Sequence, residues 1–166
     1  MRVDYAKIAP HALEALYSLE KYVRESGLEP ALLELVKLRA SQINGCAFCV
    51  DMHTKDARVR GESEQRLYAV AVWRDTPFFT DRERAALAWT EAVTQVSWQH
   101  VQDEVYELAR RHFGEKELVD LTIAIIAING WNRLSISFRR EAGTYQPQPQ
   151  ASDAASKRTT ASHQST

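Results

Sequence analysis

Residues 30–60 read PALLELVKLRASQINGCAFCVDMHTKDARVR. Pro30 suits the first turn of a helix, where its missing N–H costs no hydrogen bond. The apolar residues that follow share one helical face: Leu32, Leu35, Val36 and Ile43. Asn44-Gly45 predicts a break, and a second helix is expected from near Cys46 to about Arg60. The stretch therefore predicts two helices joined by a tight turn.

The rest of the chain has the same helical character. Further helices are predicted over 10–26, over 63–73, from Asp81 onward, around 101–109 and over 115–140. Thr80 followed by Glu83 has the spacing of a capping box. Because no segment alternates as a half-buried strand does, we predict an all-α, single-domain bundle of about six to seven helices.

Composition limits the class of protein. The 166 residues are 45% hydrophobic, and the net charge of -1 gives no overall attraction to nucleic acid or to an anionic membrane. The most apolar stretch, 118–128, is too short to span a bilayer, which needs about 20 residues. No secretory signal is visible at the N-terminus, so we expect a cytoplasmic protein. Two cysteines three residues apart are in that setting more often catalytic or metal-binding than structural.

The C-terminal part of the sequence differs from the rest. Residues 146–166 are rich in Gln, Ser, Thr, Ala and Pro and contain no large apolar side chain. Such a segment buries too little surface to offset the entropy of ordering it. We therefore predict a helical domain over 1–143 and a disordered polar tail over 144–166.

Three chemically reactive residues are expected to lie together at the start of the second predicted helix. At about 100° per residue, Cys46, Cys49 and His53 fall within an arc of roughly 60°. The helix N-terminus favours a thiolate at Cys46, and His53 is placed to exchange a proton with a thiol. If the two helices pair antiparallel, Glu34 lies level with about position 56, within one turn of His53.

A thiolate of this kind attacks a peroxide O–O bond or a disulfide. Attack on a peroxide leaves a sulfenic acid, which a neighbouring thiol converts to a disulfide. Two other interpretations remain open: an inert buried pair, and a zinc site formed by Cys46, Cys49 and His53 with Glu34 as fourth ligand. Asp51 and Asp56 are expected to be exposed and without function.

The pattern Glu34, eleven residues, Cys46-x-x-Cys49-x-x-x-His53 resembles the signature of the alkylhydroperoxidase D family, within the carboxymuconolactone decarboxylase superfamily. The likeness extends over roughly residues 5–140. It implies a homo-oligomer (a dimer, trimer or hexamer) with thiol-dependent peroxidase or disulfide-reductase activity and no cofactor. Hydroperoxide would be the substrate, and an external dithiol protein or small thiol would be the reductant.

The resemblance also implies residue roles. Cys49 would be the peroxidatic thiol, Cys46 its proton donor and disulfide partner, and Glu34 with His53 a proton relay through water. Phe48 departs from members of the family that carry a second His directly before the second cysteine. The helix dipole favours Cys46 as the more acidic thiol, whereas the family resemblance assigns the attack on peroxide to Cys49. Which of the two cysteines attacks first therefore stays open.

Two other functions remain. One is a lactone decarboxylase of the same superfamily, whose chemistry does not require a redox pair of thiols. The other is a non-catalytic oligomer that senses oxidation through the disulfide.

Overall fold

A computed structural model describes residues 1–147, and in this range it is all-helical with no β-strand. The helices are α1 Tyr5–Ile8, α2 Pro10–Glu25, α3 Pro30–Asn44, α4 Ala47–Val59, α5 Glu64–Ala69, a 3-10 helix Val70–Asp75, α6 Asp81–Thr94, α7 Val96–Gln99, α8 Asp103–His112 and α9 Glu115–Ser137. The all-α prediction is confirmed. The predicted number of helices is too low, because α1 and α7 have four residues each, too few to produce a periodic apolar pattern.

Helix α3 lies at the centre of the fold and packs against α4, α6 and α9. One apolar cluster joins α3 to α6, α8 and α9 through residues such as Val36, Phe113 and Ile125. A second cluster joins the other side of α3 to α5 and the 3-10 helix through residues such as Leu38 and Val70. Each fully buried aliphatic or aromatic side chain contributes about 1.5–3 kcal/mol. These two clusters therefore fix the helix α3 that carries Glu34.

The ends of the helices follow local sequence signals. Gly45 ends α3 in the left-handed conformation at φ 70°, which is costly for residues with a Cβ. Thr80 and Glu83 form the predicted capping box at the start of α6. The turn at Gly45 reverses the chain and sets α4 beside α3.

Two predicted helices have different ends in the structure. The helix expected over 63–73 changes at Val70 into a 3-10 helix, and Val72 leaves helical geometry at φ -123°. This turn places the buried ring of Trp73 against α6, where its Nε1 donates to Glu91 Oε1 at 2.9 Å. The last helix ends at Ser137, before Arg140, and Arg139 takes a positive φ of 52°.

Helix α9 buries most of its apolar residues against α3 and α6, but Val119 and Ile126 are 59% and 51% exposed. None of the described helices is both long enough and apolar enough to cross a membrane.

Residues 143–147, here called the C-terminal strap, lie against α4. The Gly143 N–H donates to Asp51 Oδ2 at 3.0 Å, and Lys55 Nζ donates to the Tyr145 carbonyl at 3.0 Å. The Tyr145 hydroxyl donates to Asp56 Oδ1 at 2.7 Å. The strap includes the first residues of the predicted tail; the remainder of that tail, from 148, falls outside the described residues.

Candidate functional site

The two cysteines lie at the N-terminus of α4 and form a disulfide, with their Cα atoms 5.4 Å apart. Cys46 is the N-cap residue, and its Sγ accepts a hydrogen bond from the Cys49 N–H at 3.4 Å. The sequence-based expectation that both sulfurs meet at a helix start agrees with this geometry. A CxxC pair placed in this way can cycle between dithiol and disulfide.

A buried polar network holds the turn that carries Cys46. The Cys46 N–H donates to the carbonyl of Ser41 at 2.9 Å. Asn132 on α9 donates to Ser41 Oγ at 3.0 Å and accepts from Asn44 Nδ2 at 2.8 Å. Because Ser41 and Asn132 are fully buried and Asn44 is partly buried, these hydrogen bonds also avoid the cost of unpaired polar atoms. The network therefore fixes the end of α3 relative to α9 and to the disulfide.

Glu34 and His53 meet across the α3–α4 interface, as the antiparallel register predicts. Glu34 Oε2 lies 2.8 Å from His53 Nδ1, and the two side chains are only 12% and 6% exposed. Burial alone would raise the pKa of Glu34, but the hydrogen bond and charge of His53, with the charges of Lys37 and Arg60, hold that pKa below its usual value.

The ionised Glu34 determines which nitrogen of His53 carries a proton. A carboxylate only accepts hydrogen bonds, so Nδ1 is the donor in this contact. His53 Nε2 is buried and has no hydrogen-bond partner within residues 1–147. In neutral histidine, Nε2 then carries a lone pair that can accept a proton.

Asp56 also belongs to this cluster, and the expectation that it is exposed is wrong. It is half-buried, and one ligand-type atom from each of Glu34, His53 and Asp56 lies within 4.8 Å of the others. Burial and the charge of Glu34 raise the pKa of Asp56, against the opposing hydrogen bond from Tyr145. The register that places Glu34 level with position 56 is the sequence signal that would have found it.

Basic residues partly compensate these acids. Arg60 Nε lies 3.6 Å from Glu34 Oε1, and the buried Lys37 pairs with Glu20 at 2.5 Å. Both cations lie near Glu34 and favour its ionised form. The cluster thus holds a stable carboxylate next to His53.

Phe48 lies between the two cysteines, where some alkylhydroperoxidase D proteins have a histidine. It is 4% exposed, and the guanidinium of Arg140 covers its ring at 3.9 Å from the centroid. At this position the site therefore has a buried aromatic ring in place of an imidazole.

Both sulfurs are shielded from solvent, since Cys46 and Cys49 are 0% and 1% exposed. Two surface cavities lie along the C-terminal half of α4, one of about 140 Å³ beside Arg60 and one of about 520 Å³ between α4, α5 and the strap, and the cysteines line neither. Access to the sulfurs therefore requires movement of the residues that cover them.

The structure does not form the four-ligand zinc site considered from the sequence, because the two sulfurs are bonded to each other. Among the described residues, the group able to offer metal ligands is Glu34, His53 and Asp56, without either cysteine.

The described residues are all-helical, and a CxxC disulfide lies at a helix start with a buried Glu–His pair beside it. These features are those of a helical thiol–disulfide protein. Comparison with known proteins narrows the class. The sequence pattern of the Carboxymuconolactone decarboxylase family matches residues 10–92, and the chain belongs to that family as an alkylhydroperoxidase D-like member.

Its relatives support this assignment. YdfG of Bacillus subtilis is 43% identical over 143 residues, which cover 86% of this chain and 97% of YdfG. The crystal structure of ATU0492 from Agrobacterium tumefaciens, a protein of unknown function with a suggested role as the antioxidant defence protein AhpD, superposes with a TM-score of 0.84 at 48% identity and covers 87% of this chain and 99% of that one. Alkyl hydroperoxide reductase AhpD of Acidobacterium capsulatum is 45% identical over 47 residues, 28% of this chain and 26% of that protein.

Proposed function

We propose that this protein is a thiol-dependent peroxidase and disulfide oxidoreductase whose reactive residues are Cys46, Cys49, His53 and Glu34. The observation that carries the proposal is the Cys46–Cys49 disulfide at the start of α4, with His53 held by Glu34 at 2.8 Å one helical turn beyond Cys49. The similarity to AhpD of Acidobacterium capsulatum supports the choice of peroxide as oxidant.

In the proposed cycle, His53 Nε2 accepts the proton of the Cys49 thiol, and the thiolate attacks the terminal oxygen of a hydroperoxide. The O–O bond breaks, the alcohol leaves with that proton, and Cys49 becomes a sulfenic acid. The Cys46 thiol attacks this sulfur, water leaves and the disulfide forms. An external dithiol then reduces the disulfide by two thiol exchanges and is itself oxidised. A reducing compartment such as the cytoplasm would supply that dithiol.

Glu34 would act by orienting the imidazole and stabilising its protonated form. Its lowered pKa keeps it ionised at neutral pH, so it can do this throughout the cycle. The family resemblance supports Cys49 as the attacking thiol and Cys46 as the resolving one.

Steady-state turnover of tert-butyl hydroperoxide with dithiothreitol tests the proposal. We expect turnover in the wild type, its loss in Cys49→Ser, and a large decrease in His53→Asn. His11→Asn is the matched control, because His11 is 91% exposed and distant in sequence from the cysteines. Turnover that persists in Cys49→Ser would contradict the proposed role of the cysteine pair.

The family name gives a specific reason to test lactone decarboxylation as a second candidate. That chemistry does not need the sulfurs, so activity on a carboxymuconolactone that survives in a Cys46→Ser/Cys49→Ser double variant would establish it. A redox sensor is the third candidate, favoured by the burial of both sulfurs. It would consume one equivalent of peroxide per protein and then stop, even with excess reductant.

We also propose that the protein forms a homo-oligomer. The exposed Val119 and Ile126 lie seven residues apart on α9 and therefore on one face, where a second copy would cover them. Light scattering of the wild type and of a Val119→Glu/Ile126→Glu variant tests this, and the variant is expected to be smaller.

A further inference from the structure

The C-terminal strap, residues 143–147, contacts two parts of the candidate site at once. The ring of Tyr145 packs against the apolar cluster that contains both cysteines, with Phe48 and Ile128. Its hydroxyl donates to Asp56 Oδ1 at 2.7 Å, and Asp56 adjoins the Glu34–His53 pair. A single side chain of the strap thus connects the disulfide to the acidic cluster.

Some of the side chains that pack over the two cysteines, here called the cover, have to move before the disulfide can react. Thiol–disulfide exchange requires an incoming thiolate to reach a sulfur atom. Both cysteines are at most 1% exposed, so no external thiol reaches them in the closed arrangement.

The strap is the part of the cover that moves at the lowest cost. Met52 and Trp131 also pack against the cysteine cluster, but they belong to α4 and α9. The strap has no helical structure, and it is held to α4 by the packing of the Tyr145 ring and by three hydrogen bonds to Asp51, Lys55 and Asp56. It can therefore separate from α4 without unfolding a helix.

We propose that the strap is a latch over the Cys46–Cys49 disulfide, closed by the hydrogen bond from Tyr145 to Asp56, and that its opening admits the external dithiol. This inference rests on the proposed function, since it describes access to the same cysteine pair. Once the latch opens, a dithiol thiolate attacks one sulfur to give a mixed disulfide and a free thiolate. The second thiol of the reductant displaces the other sulfur, and Cys46 and Cys49 gain the two protons.

The surroundings of Asp56 make this contact suitable as a latch. Burial and the hydrogen bond to Asp56 raise the pKa of Tyr145 to about 12, so its hydroxyl remains a donor at all physiological pH values. The groups that face Asp56 are Glu34 from α3, His53 and Arg60 from α4 and its C-terminal end, and Tyr145 from the strap. Of these residues, only Tyr145 belongs to the strap, so only Tyr145 moves away from Asp56 when the strap opens.

The test is the rate at which dithiothreitol reduces the disulfide of the full chain, measured by quenching with an alkylating agent and counting modified cysteines by mass spectrometry. Tyr145→Phe removes only the hydroxyl, and Asp56→Ala removes the acceptor. A hydrogen bond of this strength shifts a local opening equilibrium by about tenfold or more, so each variant should be reduced at least about tenfold faster. Asp56→Asn keeps an acceptor oxygen and should stay closer to the wild type.

Two comparisons distinguish the latch from general loosening of the structure. Tyr68→Phe is the control, because the Tyr68 hydroxyl contacts Glu64 at 3.3 Å on a side chain that is 74% exposed, and its rate should equal that of the wild type. The double variant Tyr145→Phe/Asp56→Ala should be no faster than the faster single variant, because both changes remove one contact.

Unchanged reduction rates in Tyr145→Phe, or multiplying effects in the double variant, would overturn the latch. If Tyr145→Phe does not fold, Asp56→Ala tests the same contact from α4. The reduction assay contains no peroxide, so it tests the latch independently of the proposed peroxidase function. Either proposal can fail while the other holds.

Discussion

Replacing Glu34 with glutamine tests the buried pair at the centre of the proposed site. Glu34→Gln keeps the size and one acceptor oxygen of the side chain but removes its charge. A hydrogen bond to a charged group contributes about 1.5–3 kcal/mol and a neutral one about 0.5–1.5 kcal/mol, so the expected loss in free energy of unfolding at pH 7 is about 1–1.5 kcal/mol. Glu34 is 12% exposed, so solvent weakens this contact little. For a chain of this size the melting temperature should fall by roughly 2–6 °C.

The pH dependence of this loss has a definite sign. The folded-state pKa of Glu34 is lowered relative to its ordinary value. Its charge therefore stabilises the protein fully at pH values above the pKa of a glutamate in the unfolded chain, about 4.3. That stabilisation disappears as the pH falls through the folded-state pKa. The difference between wild type and Glu34→Gln should therefore be full at pH 7 and should shrink below about pH 4.

Urea unfolding at pH 7 and at several acidic pH values measures this difference, with peroxidase kcat/KM recorded at pH 7. If the charge of Glu34 stabilises protonated His53 during catalysis, the same energy lowers kcat/KM by about 5- to 12-fold. Glu25→Gln serves as the control, because Glu25 is 66% exposed in a 4.0 Å pair with Lys21. An equal stability of wild type and Glu34→Gln at pH 7, or a difference independent of pH, would refute this reasoning.

Three further substitutions test how the fold positions the site, each by urea unfolding against the wild type. Thr80→Ala removes the capping box of α6 and should cost about 1 kcal/mol; no loss would mean that the cap contributes nothing. Asn132→Leu removes the hydrogen bonds of Asn132 with Ser41 and Asn44, each of which keeps one other partner, and should cost about 1–3 kcal/mol in total, whereas a neutral effect would show that the network is not needed. Gly45→Ala forces a residue with a Cβ into φ 70° and should cost about 1–2 kcal/mol; since open space surrounds the position, a larger loss would contradict backbone strain as the cause.

The sequence predicts the α3–α4 hairpin and the contact between Glu34 and His53 because both follow from local rules. Asn44-Gly45 determines where the chain turns, and the constant rise of a helix then determines which residues lie opposite each other. The 2.8 Å contact between residues 19 positions apart follows once the two helices pack antiparallel.

Other features depend on distant parts of the chain and leave no local pattern. Tyr145 reaches Asp56 across 89 positions, and nothing in the polar composition after Gly143 indicates that this one aromatic ring is held against α4. The burial of both sulfurs likewise results from packing by α9 and the strap, which residue spacing cannot predict. The short helices α1 and α7 have too few residues for a periodic signal.

A single-turnover measurement tests the central claim most directly. Fully reduced protein is mixed with one equivalent of tert-butyl hydroperoxide, and the remaining thiols are counted and the intact mass recorded. The account predicts that the wild type loses both thiols and two hydrogen masses, while Cys46→Ser gains one oxygen at Cys49 that dimedone traps as a sulfenic acid. Two unchanged thiols and an unchanged mass in the wild type would contradict it.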